Sequence, residues 1–268
     1  MESDSLWLGH MRKPVRLIML AFVGVTALIY VWLVFNKIFM ADAIGMHEMI
    51  RPSEGGTIVT IMLYAMLGSL LSAGIYLSDF KGDIELEPDG FFDIFSLVIS
   101  RISMVLTALI VLVMFYEVIS RYVFSRPTLW ANELSLWIAA FVFLFAGQYA
   151  MQQRSHIRIY VIYDIMPRWA QKASDVLSTL LIVFFTFSMI WGGYNDAKTR
   201  ALRMETFGTA WDPPLPGTIK AAILIIIVLV TIQAISNLIA DWNKLPEHHS
   251  GAEVDETEIE HIRQALEK

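Results

Sequence analysis

The sequence predicts an all-α integral membrane protein with about six transmembrane helices, and three observations support this class. Hydrophobic residues make up 56% of the 268-residue chain and charged residues only 17%, whereas soluble domains average about 45–50% apolar and about 25% charged residues. The apolar residues are gathered in runs of about 20, the length that a helix needs to cross the hydrocarbon core. The runs do not alternate in polarity, which excludes the pattern of a transmembrane β-barrel.

Each apolar run corresponds to one predicted helix. The expected spans are 15–35, 58–77, 95–120, 134–150, 176–194 and 219–239. Their middle parts contain no Asp, Glu, Lys or Arg. An even number of spans places both ends of the chain on the same side of the membrane.

The first span has a competing interpretation as a secretory signal. Three basic residues precede the apolar run, and Ala41, Asp42 and Ala43 after it resemble a cleavage site. The apolar run is about 21 residues long, whereas the apolar core of a signal peptide has about 7–15. We therefore expect a retained membrane anchor.

The distribution of positive charge predicts that both termini are cytoplasmic. Lys and Arg are enriched in the short loops on the cytoplasmic side. With the N-terminus inside, 12 of the Lys and Arg residues lie on the cytoplasmic side and 8 lie outside. The bias is modest but has the expected sign.

Charged residues cluster where the third and fourth spans meet. Glu117 and Arg121 are separated by four residues, so they share a helix face and can pair. The pair is either an exposed ion pair at the helix end or a pair buried against a neighbouring protein, and the sequence leaves both open. Trp130, Glu133 and Trp137 form one stripe on the next helix. This stripe is either an interfacial aromatic belt with a snorkelling carboxylate or a contact with a second membrane subunit.

A short amphipathic segment is expected after the fourth span. The stretch QQRSHIRIYVIYDIMPRW interleaves apolar residues with tyrosines and basic groups and includes His156 and Arg158. It is too short to span, so we expect it to lie in the cytoplasmic interface and to end at Pro167. A lone histidine such as His156 is more often a surface or capping residue than a ligand.

Two further patterns predict loop shape and helix packing. The stretch TFGTAWDPPLPGTIK cannot be helical through its prolines, which include Pro213 and Pro216, so we expect an outer loop of fixed shape before the last helix. Small residues at fourfold spacing in the second span predict close helix approach, and two amides in the sixth span predict interhelical hydrogen bonds. These residues are Ala65, Ser69 and Ala73 in the second span, and Gln233 and Asn237 in the sixth.

Several classes of function are not supported by the residues present. The chain has no cysteine, and its six histidines, at 10, 47, 156, 248, 249 and 261, all lie outside the middle of the spans. An intramembrane haem is therefore not expected, and we predict no cofactor. No phosphate-binding loop or nucleophile motif occurs, and no single cationic face suits nucleic acid. These features predict a membrane scaffold that is not an enzyme.

Over residues 95–242 the sequence resembles the small membrane subunit of tripartite ATP-independent periplasmic (TRAP) transporters, the DctQ-like family. The residues that carry the resemblance begin with Glu117, Arg121, Tyr122, Val123, Phe124, Trp130 and Glu133. They continue with HIRI at 156–159, with Met166 and Pro167, and with WDPPLPG before the last helix.

The resemblance implies a four-helix scaffold subunit that performs no chemistry. Its implied partners are one large membrane subunit, which would carry an organic acid-type solute together with an ion (sodium in our expectation), and a periplasmic binding protein that delivers the solute. Membrane lipid surrounds the complex, and the implied location is the bacterial inner membrane. The resemblance divides the chain into an N-terminal two-helix extension with an acidic linker at 1–90, a four-helix core at 91–243 and a polar cytoplasmic tail at 244–268.

The sequence departs from the family pattern in two places. Family members usually carry an acid shortly after the HI or HV pair, but Ile159 and Tyr160 stand there in this chain. The N-terminal pair of spans is an addition, which we expect to pack on the scaffold side through the Ala65, Ser69 and Ala73 face. The sequence leaves two other functions open: a membrane anchor of a respiratory or redox complex, and a small carrier that works alone.

Overall fold

The computed structural model describes residues 5–40, 43–45, 48–50, 52–82, 85–154, 163 and 165–243. Within these ranges the chain forms six long helices and no strands. Each helix is long and apolar enough to cross a membrane, so the predicted class and number of spans are confirmed. The helices are α1 (Arg12–Phe39), α2 (Pro52–Leu77), α3 (Phe91–Tyr122), α4 (Ala131–Gln152), α5 (Arg168–Leu202) and α6 (Leu215–Asp241).

The helices extend further than the predicted spans because helical structure continues through the polar residues at the membrane surface. The difference is largest for α5, which has 35 residues and is therefore about 52 Å long. It begins directly after Pro167, whose extended backbone starts the helix. The start of α6 differs from the expectation, since the helix begins at Leu215 and includes Pro216 in its first turn. A proline is tolerated there because the first N–H groups of a helix have no partner within it.

Three helical hairpins form the bundle. The pairs α1 and α2, α3 and α4, and α5 and α6 pack along each other, α4 packs on α6, and α2 packs on α3. We call the end of the bundle at which residues 5 and 243 lie the proximal end, and the other end the distal end. The N-terminal hairpin is thus joined to the other four helices through α2 and α3.

The interior of the bundle is narrow, and much of the apolar surface faces outward. In the N-terminal hairpin, Leu33, Met49 and Met62 form a small buried cluster at the distal end. Between α5 and α6 the hydroxyls of Thr186 and Thr231 lie 2.6 Å apart in a buried hydrogen bond. Large apolar side chains on α1, α3 and α5 are exposed, as expected for helices whose outer faces contact lipid tails.

Glycines provide the close approaches of α2. A Cβ atom on Gly68 would lie 2.8 Å from the ring of Phe22 on α1, and one on Gly74 would lie 2.6 Å from Ile102 on α3. Of the small residues singled out from the sequence, Ala65 is buried and Ala73 is half-buried. The hydroxyl of Ser69 bonds back to the carbonyl of Met66 at 2.7 Å. One close contact of α2 with α3 is therefore made at Gly74, next to the predicted face.

Candidate functional site

Polar side chains form a buried network between α3, α4 and α6 near the proximal end. The amide nitrogen of Gln233 donates to Asp93 Oδ1 at 2.7 Å and to Asn237 Oδ1 at 2.9 Å. Ser96 Oγ donates to Gln233 Oε1 at 2.9 Å, and Gln148 Nε2 donates to Ser96 Oγ at 2.8 Å. All five residues are buried. The structure thus places the two amides singled out on α6 in a network that joins three helices.

Asp93 determines which group donates and which accepts in each hydrogen bond of this network. A carboxylate oxygen accepts hydrogen bonds, so Asp93 fixes which side of the Gln233 amide faces it. The amide oxygen then accepts from Ser96, and Ser96 in turn accepts from Gln148. Asn237 adds a bond from Nδ2 to the carbonyl of Met151 on α4 at 2.7 Å. This arrangement fixes the relative rotation of the three helices, because each amide fits in one orientation.

A buried ion pair fastens the linker between α2 and α3 to the bundle. Arg101 on α3 donates to both oxygens of Glu85, at 2.8 and 2.5 Å. Tyr149 on α4 donates to Glu85 at 2.7 Å, and the backbone N–H of Gly82 donates at 2.8 Å. Arg101 also donates to the carbonyl of Phe80 at 2.8 Å. Glu85 therefore connects the linker to two helices at once, and we call these contacts the Glu85 clip.

The environment of Glu85 favours its charged form. Burial of the carboxyl acts to raise its pKa, but the hydrogen bonds from Arg101, Gly82 and Tyr149 and the charge of Arg101 outweigh this effect. The pKa of Glu85 falls to about 2. The carboxylate is therefore ionised at neutral pH and holds Arg101, whose side chain is only 8% exposed.

Asp79, just after α2, binds residues near the start of the chain. Its Oδ1 accepts from Ser5 Oγ and from the backbone N–H groups of Trp7 and Leu8, each at 2.9 Å. Burial acts to raise the pKa of Asp79, yet these hydrogen bonds and the charge of Arg12 lower it below its ordinary value. Arg12 lies 3.4 Å from Asp79 Oδ2 and 4.3 Å from the centre of the Phe80 ring.

A second ion pair at the proximal end ties α4 to α6. Arg154, one residue beyond the cap of α4, donates from Nε and Nη2 to the two carboxylate oxygens of Asp241, at 2.5 and 3.0 Å. A two-bond arginine–carboxylate contact of this kind fixes orientation as well as distance. The proximal ends of α4 and α6 are thus held together by this pair and by the buried amide network.

At the distal end, Glu117 is buried by the loop that follows its own helix. Only 2% of its surface is exposed. Arg121 donates to Glu117 Oε1 from Nε at 2.9 Å, while the N–H of Thr128 donates to Oε2 at 3.0 Å and the Thr128 hydroxyl donates to the same oxygen. Within the chain Glu117 is therefore buried, whereas 42% of the Arg121 side chain is exposed. Burial of the pair against another protein stays a prediction.

The stripe on α4 contacts three other parts of the chain. The ring of Trp130 stacks on Tyr116 of α3 with centroids 5.7 Å apart. Glu133 accepts from the Thr209 hydroxyl at 2.6 Å, in the loop before α6. Trp137 donates from its indole nitrogen to Thr218 Oγ1 at 2.8 Å. These contacts place the stripe against α3, the loop before α6 and the first turn of α6 in the same chain.

The proline-rich loop packs closely against the start of α6, and its fixed shape stays a prediction. Pro213 is fully buried, and its carbonyl accepts from the N–H groups of Phe207 and Leu215 at 3.0 and 2.8 Å. A Cβ atom on Gly217 would lie 2.9 Å from the backbone nitrogen of Glu205. Only glycine fits this approach of the loop to α6 without a shift of backbone.

Some of the singled-out residues take no part in these contacts. Tyr122 is 77% exposed at the end of α3. His156 and Arg158, and with them most of the predicted amphipathic segment, lie outside the described residues, as does the tail at 244–268. Among the residues that the structure describes, no group of three or more His, Cys, Asp or Glu side chains could hold a metal ion.

The pairing of Glu85 with Arg101 and the acidic end of the amide network do not follow from the sequence patterns described above. One signal was available, because the predicted span 95–120 contains Arg101 and an arginine inside an apolar helix requires a partner. The acidic linker offered several candidate partners, and the sequence did not distinguish Glu85 from its neighbours.

Six apolar helices joined by buried amides and by ion pairs at both ends define a multi-pass membrane subunit. The model of one family matches residues 110–244, half of the chain, and that family is described as the DctQ component of tripartite ATP-independent periplasmic transporters. The chain belongs to this family and is a small membrane subunit of a TRAP transporter. No curated protein and no solved structure matches the chain.

The family match begins within α3 and ends just after α6. It includes every residue singled out on α4, on α6 and in the distal loops. Helices α1 and α2, the linker with Glu85, and the part of α3 that carries Asp93 and Arg101 lie before it. The boundary expected at residue 90 stays a prediction.

Proposed function

We propose that this chain is the static scaffold of a secondary TRAP transporter that imports an organic acid-type solute with sodium ions. In this proposal one copy binds one large membrane subunit, which carries the solute and the ion. The complex lies in the bacterial inner membrane with both termini of this chain in the cytoplasm. A periplasmic binding protein then docks on the distal side.

One observation carries the scaffold role: the middle of every helix lacks Asp, Glu, Lys and Arg. Ion-coupled carriers use ionisable groups or broken helices near the middle of the membrane to bind their substrates. Here the ionisable residues lie at the two ends of the bundle, where those of the Glu85 clip and the Glu117 pair hold the chain's own helices and loops. Such an arrangement supports a rigid subunit rather than a moving one.

The fixed shape of the distal side supports its role as a platform. The loop after α3 is held by Glu117, and the proline-rich loop is held by Glu133 and by the buried Pro213. A binding protein that docks repeatedly benefits from a surface that need not be ordered at each encounter, because ordering a loop lowers the affinity. The redox-anchor alternative receives no support from the family to which the chain belongs.

The composition of the complex is tested by purification of the tagged chain in mild detergent, followed by mass spectrometry. We expect one large, very hydrophobic partner in equal amount. Purification of the chain alone, or with a haem protein, contradicts the proposal.

The transport role is tested with proteoliposomes and a panel of radiolabelled dicarboxylates and sugar acids. Uptake is expected only when this chain, the large subunit, the binding protein and an inward sodium gradient are all present. Uptake by this chain alone contradicts the scaffold role, and uptake that persists with a potassium gradient contradicts sodium coupling. A green fluorescent protein fused to the C-terminus should fluoresce if the termini are cytoplasmic, whereas a periplasmic alkaline phosphatase fusion should stay inactive.

A further inference from the structure

A shallow groove runs along the proximal part of α5, beside the end of α6. Its volume is about 470 Å³, and its lining is almost entirely apolar. The residues that define it are Trp169, Lys172, Val176, Leu177 and Leu180 on α5 and Trp242 after α6. The α5 residues recur every three or four positions, so they lie on one helix face and extend about 16 Å along the axis.

The groove has one charge, and this charge is at its proximal end. Lys172 Nζ lies 4.7 Å from the centre of the Trp242 ring, a cation–π contact. Among the residues that the structure describes, no carboxylate pairs with Lys172. Two acids close to the groove residues in sequence have other contacts, since Asp175 accepts from Tyr163 at 2.7 Å and Asp241 is bound by Arg154.

The polar and apolar groups along the groove follow the same order as the headgroup and acyl chains of a phospholipid. Lysine and tryptophan at the membrane surface contact headgroups, and the exposed Leu177 and Leu180 below them face the acyl region. An acidic peptide such as the tail that follows Trp242 would match Lys172 but not the apolar length of the groove. An apolar partner helix would match that length but would leave the ammonium group without an anion.

We propose that this groove is a binding site for an anionic phospholipid of the leaflet at the proximal end. The lipid phosphate binds Lys172 beside Trp169 and Trp242, and one acyl chain follows Val176, Leu177 and Leu180. The net negative charge of the lipid favours it over a zwitterionic one, because basic groups between helices attract anionic headgroups. This site goes beyond the proposed transport role and does not depend on it.

The test measures lipid affinity by native mass spectrometry of the full chain with the partners that co-purify with it. The probes are phosphatidylglycerol and phosphatidylcholine with identical acyl chains. Lys172→Gln should weaken the tightest phosphatidylglycerol binding roughly fivefold, the loss expected for one surface lysine, and Lys172→Arg should restore it. The matched control is Lys198→Gln, which removes a lysine near the distal end of the same helix, 5.9 Å from the Tyr194 ring. That change should leave this binding unaltered.

A second measurement reports on the position of the lipid. Phosphatidylglycerol brominated in its acyl chains should quench tryptophan fluorescence, and Trp169→Phe should remove part of the quenching. Free glycerol phosphate should not compete, since it lacks the acyl chain. The proposal is overturned if both lipids bind equally and Lys172→Gln changes neither. It is also overturned if phosphatidylglycerol binding depends on Lys172 only after residues 247–268 have been removed, since the tail then occupies the groove in the full chain.

Discussion

Glu85 shows how much a single carboxylate contributes to the attachment of the N-terminal extension. Its two oxygens accept from Arg101, Tyr149 and Gly82, and Arg101 is buried against the same group. A buried ion pair need not be more stable than an apolar contact of the same size. Removal of one member of the pair nevertheless destabilises the fold strongly, because the other charge stays buried without a partner.

Replacement of Glu85 by alanine is expected to cost about 3–5 kcal/mol, the usual loss when one member of a buried ion pair is removed. The measurement is chemical or thermal unfolding of the purified chain in detergent. The matched control is Glu87→Ala in the same linker, because Glu87 pairs with Lys81 at 2.9 Å but its side chain is 77% exposed. An exposed pair contributes at most about 1 kcal/mol. Equal losses for the two variants would contradict the role assigned to Glu85.

The lowered pKa of Glu85 predicts a dependence of stability on pH. The pKa lies at about 2 in the folded chain and has an ordinary value of 4.5. The group therefore stabilises the fold above pH 4.5, and this contribution is lost as the pH falls from 4.5 towards 2. The difference in melting temperature between the wild-type chain and Glu85→Gln should be constant near neutral pH and should shrink below pH 4.5. A difference that grows on acidification would show the opposite sign.

The pair of Glu117 and Arg121 gives a prediction about charge exchange. If the two residues interacted only with each other, the exchange of both charges would restore stability lost in either single reversal. Glu117 Oε2 also accepts from the N–H and hydroxyl of Thr128. An arginine at position 117 would face that N–H, which is also a donor, so the double exchange should rescue only part of the loss. Full rescue in an unfolding assay would mean that the bonds to Thr128 contribute little.

At the scale of helices, glycine sets the distance between the N-terminal hairpin and the family core. Gly74→Ala would place a methyl group within contact distance of Ile102, and overpacking of this kind typically costs about 1–3 kcal/mol. Gly24→Ala is the control, because a Cβ atom on Gly24 meets nothing within 4 Å. Since the chain has no cysteine, paired cysteines on α2 and α3 can report the separation by cross-linking. We expect slower cross-linking in Gly74→Ala and no change in Gly24→Ala.

The sequence predicts the helices better than it predicts the contacts between them. The six spans followed from the apolar runs, because twenty apolar residues in succession require a helix in lipid whatever surrounds them. The ends of α5 did not follow, because its polar turns carry no hydropathy signal. The amides Gln233 and Asn237 could be recognised as polar residues in an apolar helix. Their partners Asp93 and Ser96 could not, because that pairing depends on how α3 and α6 meet.

At the scale of the whole molecule, the linker that contains Glu85 joins the first two helices to the other four. A chain that begins at residue 79 keeps Phe80 and Glu85, the partners of Arg101, whereas one that begins at residue 89 loses both. We expect the shorter deletion to leave a core that still binds the large subunit. The longer deletion should give less complex and a lower melting temperature, because Arg101 is left buried without a carboxylate.

Co-purification of the large subunit with each truncated chain measures this difference. Addition of Arg101→Leu to the longer deletion serves as the control, since it removes the unpaired charge and should recover part of the lost complex. If both deletions behave alike, the linker has no role beyond that of the two helices before it.

The contact of Asp79 with Ser5 and the contact of Glu85 with Tyr149 can form at different times during synthesis of the chain. Asp79 binds Ser5, which precedes it by 74 residues, so this contact can close as soon as the ribosome has made residue 79. Tyr149 follows Glu85 by 64 residues, and at about 5–20 residues per second its synthesis takes roughly 3–13 s more. During that interval the contact of Asp79 with Ser5 can already form, whereas Tyr149, the partner of Glu85 on α4, has not yet been synthesised. The order of synthesis therefore allows the ends of the first two helices to be joined to each other before they are joined to α4.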